Sequence, residues 1–108
     1  MSRAKKLTDI LERIRSQLDG AFAERLRGVV LHASRAREEA EQTSDLDLLV
    51  LLEEPVKLGQ DLEKIVQALY PIQLELDYPI HALPVSFTVF EAGLYAIHRN
   101  AKREGVLL

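Results

Sequence analysis

Residues Ser44–Val50 read SDLDLLV, and ten residues earlier the chain reads Ala33-Ser34-Arg35-Ala36-Arg37. Asp45 and Asp47 stand two apart at the head of an apolar run, Leu46 and Leu48–Leu52, with the length and composition of a buried strand. Side chains repeat with period two in a strand, so both carboxylates project from one face. Two adjacent hard-oxygen donors suit a Mg²⁺ that carries nucleotide phosphates, since magnesium keeps several waters and takes one or two protein carboxylates. Leu26–His32 is a second apolar strand candidate running directly into the Ala33-Ser34 turn. A strand, a turn of small residues and a short helix aim backbone N–H groups and the Ser34 hydroxyl at an anion. Each piece also has a plainer reading. The acids suit a solvated strand end, Ser34 suits a helix N-cap, and Arg35 and Arg37 suit surface pairs with Glu38, Glu39 or Glu41.

These residues need elements to hold them. Leu7, Ile10, Leu11, Ile14, Leu18, Phe22 and Leu26 recur at three- and four-residue steps and predict an amphipathic helix. A strand over Gly28–His32, a short helix or turn over Ser34–Ala40, a polar loop over Glu41–Ser44 and a strand over Asp45–Leu52 follow. The next helix spans about Leu58–Leu69, with Pro71 as its stop. Ile72–Leu76 alternates and reads as a strand; Tyr78–Ser86 reads as extended, confined to a sheet edge by Pro79 and Pro84. Phe87–Ala101 reads as one last helix, and Gly105–Leu108 as a terminal strand. The fold class expected is α/β (α+β), a small mixed β-sheet with its helices on one face.

At 108 residues the chain suits a single domain, 1–108, with one modest core. A net charge of −3 and 6% aromatic residues argue against bulk nucleic-acid binding and against a base-stacking platform. Zero cysteines exclude disulfides and thiolate metal sites, and fit a cytoplasmic protein. No apolar stretch is long enough to span a bilayer, and the N-terminus lacks the apolar core of a signal peptide. Three scattered histidines have no zinc-site spacing; His32 reads as a packed strand residue and His98 as part of an exposed basic surface.

Strand, small-Ser turn, short helix, then a strand bearing Asp-x-Asp resembles the nucleotidyltransferase superfamily that includes DNA polymerase beta. More narrowly, the chain resembles the minimal nucleotidyltransferases (MNT proteins) often paired with HEPN-domain partners. Their pattern, Gly-Ser-x-Ala-Arg-Gly followed by Ser-Asp-x-Asp-Leu-Leu-Val, is matched at Ser34, Ala36, Arg37, Ser44, Asp45, Asp47, Leu48, Leu49 and Val50. The resemblance implies a polymerase-beta-type fold and Mg²⁺-dependent transfer of a nucleoside monophosphate, AMP from ATP, to a hydroxyl. It makes Asp45 and Asp47 the catalytic, metal-binding acids, and Ala33, Ser34, Arg37 and Ser44 the nucleotide-binding set. It implies an antitoxin role toward a HEPN-domain partner, with that partner or a homodimer completing the site. Two departures weaken nucleotide contact: Ala33 and Glu38 stand where the family has Gly. The family's third carboxylate has no clear counterpart, leaving Glu75, Asp77 and His81 as candidates for the general base. A scaffold of the same fold, acting by protein–protein binding without catalysis, is the alternative reading.

Overall fold

The structure is a computed structural model that describes residues 7–31 and 45–108. Helix α1, Leu7–Phe22, buries Ile10, Ile14, Leu18 and Phe22, one residue per four along a single stripe. The stripe was expected to run on to Leu26. Instead the chain leaves the helix through a 3₁₀ turn, Ala23–Arg25, with Ala23 at φ 51°, and Leu26 opens strand β1, Leu26–Leu31.

Strand β1 pairs antiparallel with β2, Leu46–Leu52, and β2 pairs parallel with β3, Ile80–Ser86. A two-residue strand β4, Val106–Leu107, adds antiparallel to β1, giving the order β3-β2-β1-β4. A bulge between Leu26 and Gly28 shifts the register of β1. The extra residue resets side-chain parity, so Leu26, Val29 and Leu31 all join one core. Strand β2 is central and covered on both faces, which is why it reads as an uninterrupted apolar run.

Two cores result. Leu46, Leu48, Val50 and Leu52 of β2 face α1 and helix α2, Leu58–Gln73. Leu49 and Leu51 face the other way, toward Phe90 and Ala101 on helices α3, Phe87–Ala92, and α4, Ala96–Glu104. The mixed sheet flanked by helices is therefore present, but the helices lie on both faces and not on one. The correction follows from the strand periodicity itself: a central strand with apolar residues at odd and even positions needs two covers.

Three local expectations also change. Pro71 does not stop α2; it sits in the last turn, and Ile72 continues the buried stripe of Ile65 and Leu69. The segment Ile72–Leu76 is therefore helix end and turn, not strand. Its alternation loses to the helical spacing that buries Ile72, while the Leu74 N–H still reaches the Tyr70 carbonyl at 3.1 Å. Phe87–Ala101 is two helices, because Gly93 at φ 65° ends the first. Ser86 starts that helix: its Oγ accepts from the Val89 N–H at 3.2 Å and donates to Glu54 Oε2 at 2.7 Å. His98, expected on an exposed surface, is buried between the rings of Phe90 and Tyr95, because α4 turns His98 and Ala101 inward together. Burial holds its imidazole pKa below the ordinary value.

Gly105 lets the chain pass from α4 onto the sheet edge. A Cβ there would lie 2.6 Å from the Ala101 carbonyl oxygen and 2.7 Å from Val30 Cγ1. Among the described residues no helix is long and apolar enough to cross a membrane.

Candidate functional site

The Asp45/Asp47 pair sits where β2 begins. The parallel partner strand sets what stands beside it: Leu46 pairs with Ile80 and Asp47 pairs with His81. The Leu46 N–H donates to the Pro79 carbonyl at 3.1 Å, fixing the register at this end. Period-two alternation then puts Asp45, Asp47 and His81 on the sheet face that carries Leu49, Leu51 and Val85 farther along. Asp45 and His81 are exposed and Asp47 is half-buried. His81 Nε2 lies 2.8 Å from Asp45 Oδ2. In the tautomer with the proton on Nε2, His81 donates to the carboxylate and Nδ1 keeps the ring's lone pair.

Gln73 anchors the chain just before His81, a role that the strand reading of Ile72–Leu76 hides. Its Oε1 accepts from the Ile80 N–H at 2.7 Å and its Nε2 donates to the Tyr78 carbonyl at 2.9 Å. At this sheet edge the side-chain amide acts as a substitute neighbouring strand just before His81. Between α2 and β3 opens a cleft of ≈ 250 Å³ lined by Leu62, Val66, Tyr70, Gln73 and Ile80, with His81 on its rim.

Of the three candidates for a third group, the structure brings only His81 to the acid pair. Glu75 lies in the turn after α2, where Arg13 of α1 donates to both its oxygens at 2.8 and 3.0 Å. Asp77 lies in the bend before β3, on no strand. The remaining candidates, Ala33, Ser34, Arg37 and Ser44, lie outside the described residues, as do His32, Arg35, Glu38 and the expected helix over Ser34–Ala40.

Sequence reasoning also missed Asp61, one of two buried polar or charged residues among those described. Both its oxygens accept from Arg25 at 3.0 Å, and Oδ2 also accepts from the Lys57 N–H at 2.9 Å. The Arg25 hydrogen bonds hold the Asp61 carboxyl below the usual carboxylate range against an opposing desolvation effect. This pair ties the start of β1 to the first turn of α2. Its signal in the sequence was an acid on the helix face between Leu58 and Leu62, too common a pattern to single out.

Residues 9–107 match the family model of the nucleotidyltransferase domain. The chain belongs to that family. No curated protein sequence matches it. Membership gives the acid pair its context, because nucleotidyl transfer in this family generally uses a divalent metal. Among the described residues no three His, Cys, Asp or Glu side chains form a metal-holding group. The donor chemistry nevertheless suits magnesium: two carboxylates on one face at a solvent-open sheet end, of which Asp45 meets His81 through Oδ2.

Proposed function

We propose that this protein transfers a nucleoside monophosphate, AMP from ATP, to a hydroxyl acceptor in the cytoplasm. The observation that carries the reading is the meeting of Asp45, Asp47 and His81 on one face where β2 and β3 pair in parallel. Asp45 and Asp47 are the residues that would hold Mg²⁺, which when bound offsets charge on the phosphates and on the departing pyrophosphate. Ser34, with Ala33, Arg37 and Ser44, is the proposed triphosphate grip. The acceptor oxygen attacks the α-phosphorus in line, the bond from that phosphorus to the bridging oxygen breaks, and pyrophosphate leaves with the electron pair. His81, oriented by Asp45, takes the acceptor proton. This assigns the base to a histidine where the family resemblance called for a carboxylate. The proposed acceptor is a side-chain hydroxyl on a HEPN-domain partner, which makes the protein an antitoxin.

One observation favours a second reading, a non-catalytic scaffold. The position across from Asp47 on β3 is His81 and not an acid, and His81 already engages Asp45. Calorimetric titration of ATP with and without Mg²⁺, beside an Asp45→Asn/Asp47→Asn variant, separates the two. The catalytic reading expects Mg²⁺-dependent binding that the folded double variant loses. It also expects His81→Ala to keep ATP binding while transfer slows by about 10²–10⁴-fold. Wild type that binds no ATP at millimolar concentration supports the scaffold.

A further inference from the structure

Strand β3 is an edge of the sheet, so half of its peptide groups face no neighbouring strand. The hydrogen bond from the Ile80 N–H to Gln73 Oε1 shows which half. Ile80 and, by alternation, Ala82 and Pro84 direct their peptide groups outward. The cleft of ≈ 250 Å³ between α2 and β3 opens along this edge, and Ile80 and Ala82 both line it. Gln73 occupies the groups at one end, the Tyr78 carbonyl and the Ile80 N–H. Pro84, at the other end, has no N–H to offer. Between these two stops stand the Ile80 carbonyl and the Ala82 N–H. They form an outward acceptor beside an outward donor, with no hydrogen-bond partner among the described residues.

We propose that this cleft is a nucleobase pocket that takes an adenine ring. Its size comes first: ≈ 250 Å³ lies just below the roughly 300–1,000 Å³ of sites that enclose a whole small molecule, which suits one planar ring with its sugar outside. The walls are right for stacking. Leu62 and Val66 are apolar, and Tyr70, 58% exposed, adds an aromatic ring to the lining. The backbone then chooses the base. The pairing edge of adenine carries an amino donor beside a ring-nitrogen acceptor, the complement of the Ile80 carbonyl and the Ala82 N–H. Hypoxanthine and guanine reverse that order, setting acceptor against acceptor and donor against donor, and unpaired polar groups are costly to enclose. Cytosine shares adenine's order but has one ring and less surface to stack. An added β-strand is the poorer occupant, because it needs a continuous row of outward N–H and C=O groups. Gln73 and Pro84 interrupt that row on either side of a single pair.

His81 stands on the rim of the cleft and meets Asp45 at 2.8 Å, so a ring held here lies beside the acid pair. For its part in a reaction the inference rests on the transfer reading above. The ring then belongs either to the donor triphosphate or to an acceptor that carries adenine. Binding of the ring itself requires neither metal nor phosphate.

Amide NMR on the full chain with adenosine, in the absence of Mg²⁺, tests the pocket apart from the acid pair. Millimolar adenosine should shift the Ala82 N–H, and inosine, the same double ring with the reversed edge, should shift it far less. Tyr70→Ala, at an exposed position, should weaken adenosine at least about fivefold, the loss of one stacking partner. Ala82→Pro deletes the outward donor as Pro84 already does two residues on. It should weaken adenosine about 2- to 12-fold with unchanged circular dichroism. Adding ATP with Mg²⁺ to the adenosine-bound protein assigns the source: displacement of adenosine at Ala82 marks the donor ring, and joint binding marks an acceptor ring. Adenosine shifts at Ala82 without any Mg²⁺-dependent gain for ATP keep the pocket and remove the transfer reading. Mg²⁺-dependent ATP binding while adenosine leaves Ala82 unmoved overturns the pocket and spares the transfer reading. Equal shifts with adenosine and inosine, or a Tyr70→Ala variant that binds adenosine like wild type, also overturn it.

Discussion

Replacing Arg25 by Met should cost this protein about 2–3 kcal/mol at neutral pH. Asp61 is almost fully buried, its side chain 6% exposed, and three N–H donors hold its two oxygens. Removing the cation from a buried pair typically costs about 3–5 kcal/mol, because the remaining charge is left in a poor solvent. The Arg25 side chain is 34% exposed, so water enters the space it leaves and the cost falls at or just below the bottom of that range. Methionine retains part of the packing beside Phe22, over whose ring the guanidinium carbon sits at 5.8 Å. The pH dependence has a definite sign. Asp61 titrates lower in the folded chain than in the unfolded one, so its stabilisation is complete above about pH 3.9 and drains away as pH falls through the folded value. Urea unfolding of wild type and Arg25→Met, at pH 7 and near pH 3, reads both quantities with the slope m as a control. The gap between the two proteins should be about 2–3 kcal/mol at pH 7 and should narrow in acid. A gap under about 0.5 kcal/mol at pH 7, the range of an ordinary surface change, would refute the reasoning. A gap that does not change with pH would refute the assignment to Asp61.

Two further outcomes follow from closely packed groups. His98 Nδ1 is buried and has no hydrogen-bond partner among the described residues, and burial lowers the ring's pKa. Its neutral form is thus favoured in the folded chain, with stability complete above about pH 6.5 and declining as pH falls from there toward the folded value. The melting temperature of wild type should drop more between pH 7.5 and pH 5.5 than that of His98→Leu; parallel curves would contradict this. Gly105→Ala should cost about 1–3 kcal/mol, the usual range for forcing an extra methyl into packed surroundings. The new Cβ meets two carbonyl oxygens, at 2.6 and 2.8 Å, besides Val30. Hydrogen exchange should quicken at the Leu108 N–H, which donates to the Val29 carbonyl at 2.9 Å; unchanged exchange and stability would show that α4 yields without strain.

The placement of the acid pair was readable because its spacing is local. Asp45 and Asp47 share a strand, so period two alone sets them on one face, and the apolar run after them announces a buried β2. The α1 stripe and the edge position of Pro84 in β3 were legible for the same reason: each rests on a few neighbouring residues. Expectations failed where two local patterns competed. Ile72–Leu76 satisfies strand alternation, but Ile72 also completes the helical stripe begun at Ile65, and burial against the sheet decided in favour of the helix. Phe87–Ala101 satisfies helical composition throughout, yet Gly93 breaks it at a left-handed residue.

By itself, then, the sequence determined the α/β character, the acid pair and the family to which the chain belongs. Only the tertiary structure decided what stands beside that pair. His81 reaches Asp45 because β3 pairs parallel to β2 in one particular register, held by Gln73 from the end of α2. Glu75 is drawn off to Arg13 by the same turn that aims β3 at the site. These choices join residues tens of positions apart in the chain. Periodicity carries no information across such a gap, and the packing of helices on both sheet faces supplies it.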